Sequence, residues 1–518
     1  MYKTLTTLFT VAVLASISSC STNPVTGASE FSLVSEAQEI AIGEQQYGPS
    51  QQTQGGAYII DRSLQDYVSG VGQTLAALSD RPELPYEFVV LNNAIPNAWA
   101  LPGGKIAINR GLLVKLDDEA ELAAVLGHEI VHAAARHSAA QMTRSTLVGL
   151  TAQLATIAAA SRGYGELGNM ASQLGGAAVM AKYGRDDELE SDRYGMGYMA
   201  KAGYDPQAAV RLQELFLELS EGRKSDTLSQ LFASHPPSAQ RVAANRDRAR
   251  ELPSGERYRE RFARAISQLT HDAPAYKAQE EALAALKEED AATALKLLDT
   301  AVAIQPAESQ FWEMRGHAWK MLDKPENAQK AYTTAIRRNP ELFSHSFYRG
   351  LVRYEQNELE SARTDFLTSR ALLPTAISAY YLGEIALAEN DSDQAIAYFS
   401  QAMQGGGGKI SSSAYNKLAR LELNQQPDKY ILSHAYIDKR GYLRVVLRNN
   451  TDFPVRSVRL QVAEVINRQV VGSAQLLRQR FDLAAGEQTE FGTGIGPLAQ
   501  GDQPRQFTSR VTLAAPAD

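Results

Sequence analysis

Asp118-Glu119-Ala120-Glu121-Leu122-Ala123-Ala124-Val125-Leu126-Gly127-His128-Glu129-Ile130-Val131-His132 is the stretch from which the rest of the chain is read. Asp118 followed by Glu121 opens a helix, and the apolar Leu122, Val125, Leu126 and Ile130 carry it toward His137. Residues four apart share a helix face, so the imidazoles of His128 and His132 can reach one ion. Zinc suits such a pair: nitrogen donors hold it at roughly 2.0–2.1 Å and leave a coordination position open. Glu129, next to the first imidazole, is placed to take a proton from zinc-bound water and deliver it to a leaving amine. The chain has eight His, so this pattern would arise by chance in roughly one such sequence in a hundred.

Zinc needs a third protein ligand. Downstream, Glu188-Leu189-Glu190-Ser191-Asp192 lies in a helical stretch ending near Gly203, with Glu188 and Asp192 on one face. Glu190 competes for the ligand role, although its spacing turns it to another face. Upstream, Tyr86 to Leu91 alternates as a strand, and Ala98–Leu101 and Lys105–Ile108 flank Pro102-Gly103-Gly104 as a hairpin. His137 reads as a cation closing the motif helix.

Taken together, Asn97 to Gly104, His128 to His132, Arg185 with Glu188 and Asp192, and His235-Pro236 followed by Arg241 resemble peptidase family M48 of the gluzincin group. The resemblance covers roughly 25–250. It implies one zinc ion per chain held by His128, His132 and Glu188, with Glu129 as general base and acid. Asp192 becomes the acceptor that orients a ligating imidazole. His235 and Arg241 are candidates for gating or oxyanion donation, and His235 reads equally well as packing its own loop. Trp99, Ala100, Leu101, Gly103 and Gly104 are expected at an exposed strand edge that pairs with an extended substrate. A structural reading, an edge hairpin with a buried Trp, is compatible with this and stands beside it. In membrane-embedded M48 members the interval matching 138–182 crosses the bilayer. Here Gln153, Arg162 and Glu166 interrupt it, and a soluble hairpin over the cleft is expected.

The ends of the chain add a location. Lys3 and the apolar run Leu8 to Ile17 have the form of a signal peptide over 1–19. Ile17-Ser18-Ser19-Cys20 resembles a bacterial lipobox, which implies lipidation of Cys20, the only cysteine. Ser21 after it points to the outer membrane, hence to a periplasm-facing protein of a Gram-negative bacterium. A net charge of -7 leaves no footprint for nucleic acid.

At 518 residues several domains are expected. A lipidated linker and first helix occupy 20–55, with Ser35 and Gln38 as a capping box. The peptidase domain takes 56–268. Pro306, Pro340 and Pro374 then recur at 34 residues, as do Ala282, Gly316 and Gly350, Ala294, Ala328 and Ala362, and Leu298, Tyr332 and Phe366. This resembles about four tetratricopeptide repeats over 269–420. Alternating segments over 428–518 read as an immunoglobulin-like β-sandwich.

The expected fold is therefore multidomain and mainly α: an α+β zincin-type peptidase domain, an α-solenoid and a C-terminal sandwich. The expected activity is zinc-dependent hydrolysis of peptide bonds in unfolded or misassembled envelope proteins, with a protein partner on the repeats. The alternative is a lipid-anchored assembly factor or chaperone-like binding protein whose peptidase site is largely latent.

Overall fold

The computed structural model describes residues 20–146, 183–221, 235–405, 408–466, 469–477, 480–498 and 505–517. The expected signal peptide and most of the segment expected over the cleft lie outside these residues. Among them, no helix is long and apolar enough to cross a membrane. The chain divides into two compact units: one runs to Glu358 and includes Ala371–Leu373, and the other holds Leu359–Arg370 and the chain from Pro374.

In the first unit, short strands β1 (Cys20–Thr22) and β2 (Ser29–Phe31) pair antiparallel. Helix α1 (Glu36–Thr53) starts with the expected reciprocal cap between Ser35 and Gln38. Helix α2 (Arg62–Ala76) is amphipathic and buries Leu64, Val68, Val71 and Leu75. Strands β3 (Glu87–Leu91), β4 (Ala98–Leu101) and β5 (Lys105–Asn109) form a sheet in the order β3-β5-β4, with β4 and β5 as the expected hairpin. The Gln65 side chain closes the outer edge of β3: it donates to Phe88 O at 2.7 Å and accepts from Val90 N at 2.8 Å. Such capping removes the hazard of an open edge.

Gly103 and Gly104 have φ of 73° and 83°, the left-handed region that glycine enters freely. A Cβ on Gly103 would lie 2.8 Å from the Ile40 backbone, so the turn is a seat for α1. Helix α3 (Glu119–Ala134) is buried on every side, as its apolar composition requires, and Asp118 caps it by accepting from Glu121 N. It ends earlier than the sequence suggested. Arg136 has φ 63°, and a new helical run covers 137–146. His137 therefore begins the next helix instead of closing the motif helix. A single turn in the left-handed region has no clear sequence mark when the residue is Arg.

Helices α4 (Arg185–Lys201), α5 (Gln207–Glu221) and α6 (Ala239–Glu251) complete the peptidase part. The repeat helices of this unit are α7 (Ser267–Lys287), α8 (Ala291–Ile304), α9 (Ser309–Met321), α10 (Pro325–Arg338) and α11 (Phe343–Glu355). Positions singled out by the period are core: Ala282, Ala294, Leu298, Ala328 and Tyr332 are fully buried. Gly316 lets the Tyr332 ring approach so closely that a Cβ would meet it at 2.4 Å. The first repeat is joined to the sheet by a buried polar seam. Glu308 accepts from Asn92 Nδ2 at 2.9 Å and Tyr276 Oη at 3.0 Å, and the Arg110 guanidinium lies 3.5 Å over the Tyr276 ring. Satisfied buried polar groups of this kind fix one packing arrangement.

The second unit begins with all but the end of α12 (Leu359–Leu372), followed by α13 (Ala376–Ala388), α14 (Ser392–Gln404) and α15 (Lys409–Glu422). It continues with two antiparallel sheets. One is ordered β11-β7-β6, from β6 (Ile431–Ile437), β7 (Leu443–Asn449) and β11 (Gln488–Gly492). The other runs β10-β8-β12 with β9 also on β8, from β8 (Val455–Ile466), β9 (Gln469–Leu476), β10 (Phe481–Leu483) and β12 (Gln506–Pro516). Val445 and Leu447 of the first share a buried cluster with Val458, Leu460 and Val511 of the second. The Asn449–Asp452 turn carries the chain from one sheet to the other. Asn449 locks it, donating to Phe453 O at 2.8 Å and Ala484 O at 2.9 Å.

Candidate metal centre

Three segments distant in sequence build the site. Helix α3 presents His128 and His132 with their Nε2 atoms 3.0 Å apart. Helix α4 crosses it where Gly127 meets Gly195, and this approach brings Glu188 to 3.5 Å from His128 Nε2 and 3.4 Å from His132 Nε2. The segment before α6 supplies His235, whose Nδ1 is 2.9 Å from Glu188 and 3.4 Å from His128 Nε2.

Donors around one tetrahedral ion with 2.0–2.1 Å bonds stand roughly 3.3–3.4 Å apart. The spacings of His128, His132 and Glu188 match that figure closely. His128, His132, Glu188 and His235 can together present one ligand atom each within 4.8 Å of one another, and all four are buried. Glu129 Oε2 and His235 Nε2 are buried without a hydrogen-bond partner, as expected of groups that face a reacting centre. The residues therefore fit a divalent ion of the zinc type.

The outer nitrogens are held as a metal site requires. His128 Nδ1 bonds Asp192 Oδ1 at 2.9 Å. Arg241 donates through Nε and Nη2 to Asp192, both at 2.7 Å, and its Nη1 lies 2.6 Å from Glu188 Oε2. Two of its nitrogens thus bond Asp192, and the third faces Glu188. Arg241, a candidate oxyanion donor by resemblance, here bridges Asp192 and Glu188.

Burial alone would push Asp192 up, but the Arg241 guanidinium and the His128 hydrogen bond outweigh it and hold the carboxyl low. Burial likewise tends to lower His128, yet Asp192 and Glu188 raise it to about 9. Glu129 goes the other way: burial pushes its carboxyl up.

Two neighbours of His132 had no sequence signature. Its Nδ1 is 2.9 Å from His137 Nδ1, a contact made possible by the turn at Arg136. Tyr183 stacks on the His132 ring at 3.6 Å between centroids. Glu190, the competing ligand, faces away from the cluster and takes His137 Nε2 at 3.3 Å.

The expected strand edge is an outer strand whose residues are covered. Strand β4 is the outer strand of its sheet, but Ala98, Trp99, Ala100 and Leu101 are all buried. The Tyr183 hydroxyl occupies Ala100 O at 3.3 Å. Trp99 packs edge-on against Tyr47 and donates to Gln54 at 3.2 Å.

Residues 62–249 match the model of peptidase family M48. These residues form an M48 peptidase domain. The chain is homologous to the beta-barrel assembly-enhancing protease of Escherichia coli K12, at 30% identity over 240 residues, 45% of this chain and 48% of that protein. The mitochondrial metalloendopeptidase OMA1 of Schizosaccharomyces pombe is 36% identical over 177 residues, 34% of this chain and 50% of that one. Metalloprotease YcaL of Escherichia coli K12 is 35% identical over 167 residues, 32% of this chain and 62% of that one. The chain spans about half the length of the curated relatives it matches. Among solved structures, a thermophilic tetratricopeptide-repeat protein of Thermus thermophilus aligns at 21% identity with a TM-score of 0.27, over 40% of this chain and 98% of that one. The M48 domain contains His128, Glu129, His132, Glu188, Asp192, His235 and Arg241.

Proposed function

We propose that the chain is a zinc-dependent endopeptidase that cleaves unfolded or misassembled proteins of the bacterial cell envelope. The observation that carries this is the convergence of His128 Nε2, His132 Nε2 and Glu188 within 3.0–3.5 Å of one another, with Glu129 beside them. When bound, the ion supplies a Lewis acid that polarises the scissile carbonyl and acidifies water. Glu129 takes the proton of the attacking water and returns it to the leaving nitrogen. Asp192 and Arg241 keep the ligands oriented.

His235 acts as the gate in this reading. With Nδ1 2.9 Å from Glu188 and Nε2 3.6 Å from Glu129, its ring stands where a substrate carbonyl would approach. Tyr183 covers the β4 backbone that an extended substrate would pair with. These two contacts favour a second reading, a binding or assembly protein whose peptidase site is largely latent.

The envelope location rests on the lipobox-like Cys20, whose lipidation would anchor the chain to the outer membrane from the periplasm. The family relationship to a beta-barrel assembly-enhancing protease supports envelope clients, and the repeats offer a surface for a protein partner. Casein cleavage by the purified chain, with and without chelator and against Glu129→Gln, decides between the readings. Chelator-sensitive cleavage lost in Glu129→Gln supports the enzyme. Absence of cleavage by both wild type and His235→Ala supports the binding protein.

A further inference from the structure

The residues just after Cys20 reach the back of the metal centre. Asn23 is 2% exposed and sits at the head of a tight turn: its Oδ1 accepts from Val25 N at 2.9 Å and Thr26 N at 3.2 Å. The backbone closes the same turn, with Asn23 N donating to Ala28 O at 2.8 Å and Gly27 N to Asn23 O at 2.9 Å. With its oxygen committed, the side-chain amide has only donors left to offer. Nδ2 donates to Glu190 Oε1 at 3.0 Å and to Glu30 Oε1 at 3.1 Å. Further along, Leu33 N donates to Thr143 Oγ1 at 3.0 Å, and Arg136 Nη2 to Val34 O at 2.7 Å. The hairpin thus meets α4, and the residues after it meet the turn and helical run that follow the motif helix.

Proton positions follow along this line of contacts. If His132 offers the Nε2 lone pair to an ion, its single proton sits on Nδ1. That proton is donated to His137 Nδ1 at 2.9 Å, which puts the His137 proton on Nε2. His137 Nε2 then donates to Glu190 Oε1 at 3.3 Å, the same oxygen that receives Asn23. Every donor meets an acceptor in this one direction only. In the opposite direction His137 Nε2 would be a bare acceptor facing a carboxylate, and the His132 proton would point at the ion.

We propose that Asn23 of the N-terminal hairpin is a positioning residue of the metal centre, acting through Glu190 and His137 to hold His132 in the tautomer whose Nε2 binds zinc. The inference rests on the metal site formed by His128, His132 and Glu188. It makes the segment next to the expected anchor part of the active centre's support. Partners outside the ligand set commonly change metal affinity 10- to 100-fold.

Asn23→Asp separates this role from a merely structural one. The carboxylate can still accept from Val25 and Thr26 and keep the turn, but it presents a second negative oxygen to Glu190 instead of a donor. Zinc affinity of the full chain is measured by competition with a chromophoric chelator, for wild type, Asn23→Asp, Glu190→Ala and the double variant. Glu190→Gln, which keeps an acceptor for His137, serves as the conservative rescue, and Ser29→Ala as the hairpin control. Both single variants should bind zinc about tenfold or more weakly. The double variant should bind no more weakly than Glu190→Ala alone, and Glu190→Gln should recover most of the loss. Wild-type affinity in Asn23→Asp, or losses that add in the double variant, overturns the relay. Thermal unfolding gives the second measurement: zinc-induced stabilisation should shrink in Asn23→Asp while the metal-free midpoint holds. Equal loss with and without zinc overturns the proposal as well. A wild-type chain that takes up no zinc overturns the metal-centre reading itself.

Discussion

Gly127 and Gly195 bring the two metal-site helices into backbone contact: a Cβ on Gly195 would stand 2.9 Å from the Gly127 carbonyl carbon and 3.0 Å from His128 N. The approach lies one residue from the first imidazole. It sets how near α4 can carry Glu188 to the pair on α3.

Gly195→Ala should therefore force the helices apart, at about 1–3 kcal/mol, the usual cost of overpacking. Zinc affinity should fall with it. Gly197, two residues on, has open space where a Cβ would stand, with nothing within 4 Å. Gly197→Ala should therefore be neutral or stabilising by about 0.5–1 kcal/mol. Urea midpoints of the two variants check the contrast; equal midpoints would dismiss the contact.

Removing Arg241 should be more damaging. Its guanidinium bonds Asp192 and faces Glu188, and all three side chains are almost wholly buried. Breaking a buried pair from one side costs about 3–5 kcal/mol because the remaining charge has no partner. Arg241→Ala should unfold at much lower denaturant in the metal-free state. Arg241→Lys should rescue only partly, since an ammonium cannot fork between two carboxylates.

His235→Ala should increase casein turnover, because the ring stands 2.9 Å from Glu188 and 3.4 Å from His128 Nε2. An oxyanion donor would give the opposite result, a fall of about 100-fold or more in kcat. Unchanged kinetics would leave His235 with packing alone.

Glu121 gives a pH signature apart from the metal. It accepts Asp117 N and faces Arg257 at 3.1 Å, yet burial pushes it from 4.5 up to about 6. A carboxyl raised in the folded state favours folding when protonated. Its contribution is complete below the ordinary value and is lost as pH rises through about 6. Glu121→Gln stays neutral, so its melting temperature should gain on wild type between about pH 5 and 7. Parallel curves over that interval would count against this assignment.

Much of the molecule was readable in advance because its signals are local. Period-34 small residues marked the close helix contacts, as where Gly316 meets Tyr332. The four-residue spacing put His128 and His132 on one face of their helix, and Glu188 with Asp192 on one face of theirs. His137, Tyr183 and Asn23 were missed for one shared reason. Each meets the centre from a segment outside the motif helix, and no periodicity connects such segments to it.

Sequence by itself determined the helix faces, the repeat spacing and the chemical types of the donors, since these depend on residues a few positions apart. Only the tertiary structure decided that Arg241 clamps carboxylates and that His235 stands over Glu188. It also decided that β4 is covered and that Asn23 meets the Glu190 oxygen that His137 also contacts. Those outcomes depend on which buried polar groups find partners, and that is settled only when distant segments pack and water is excluded.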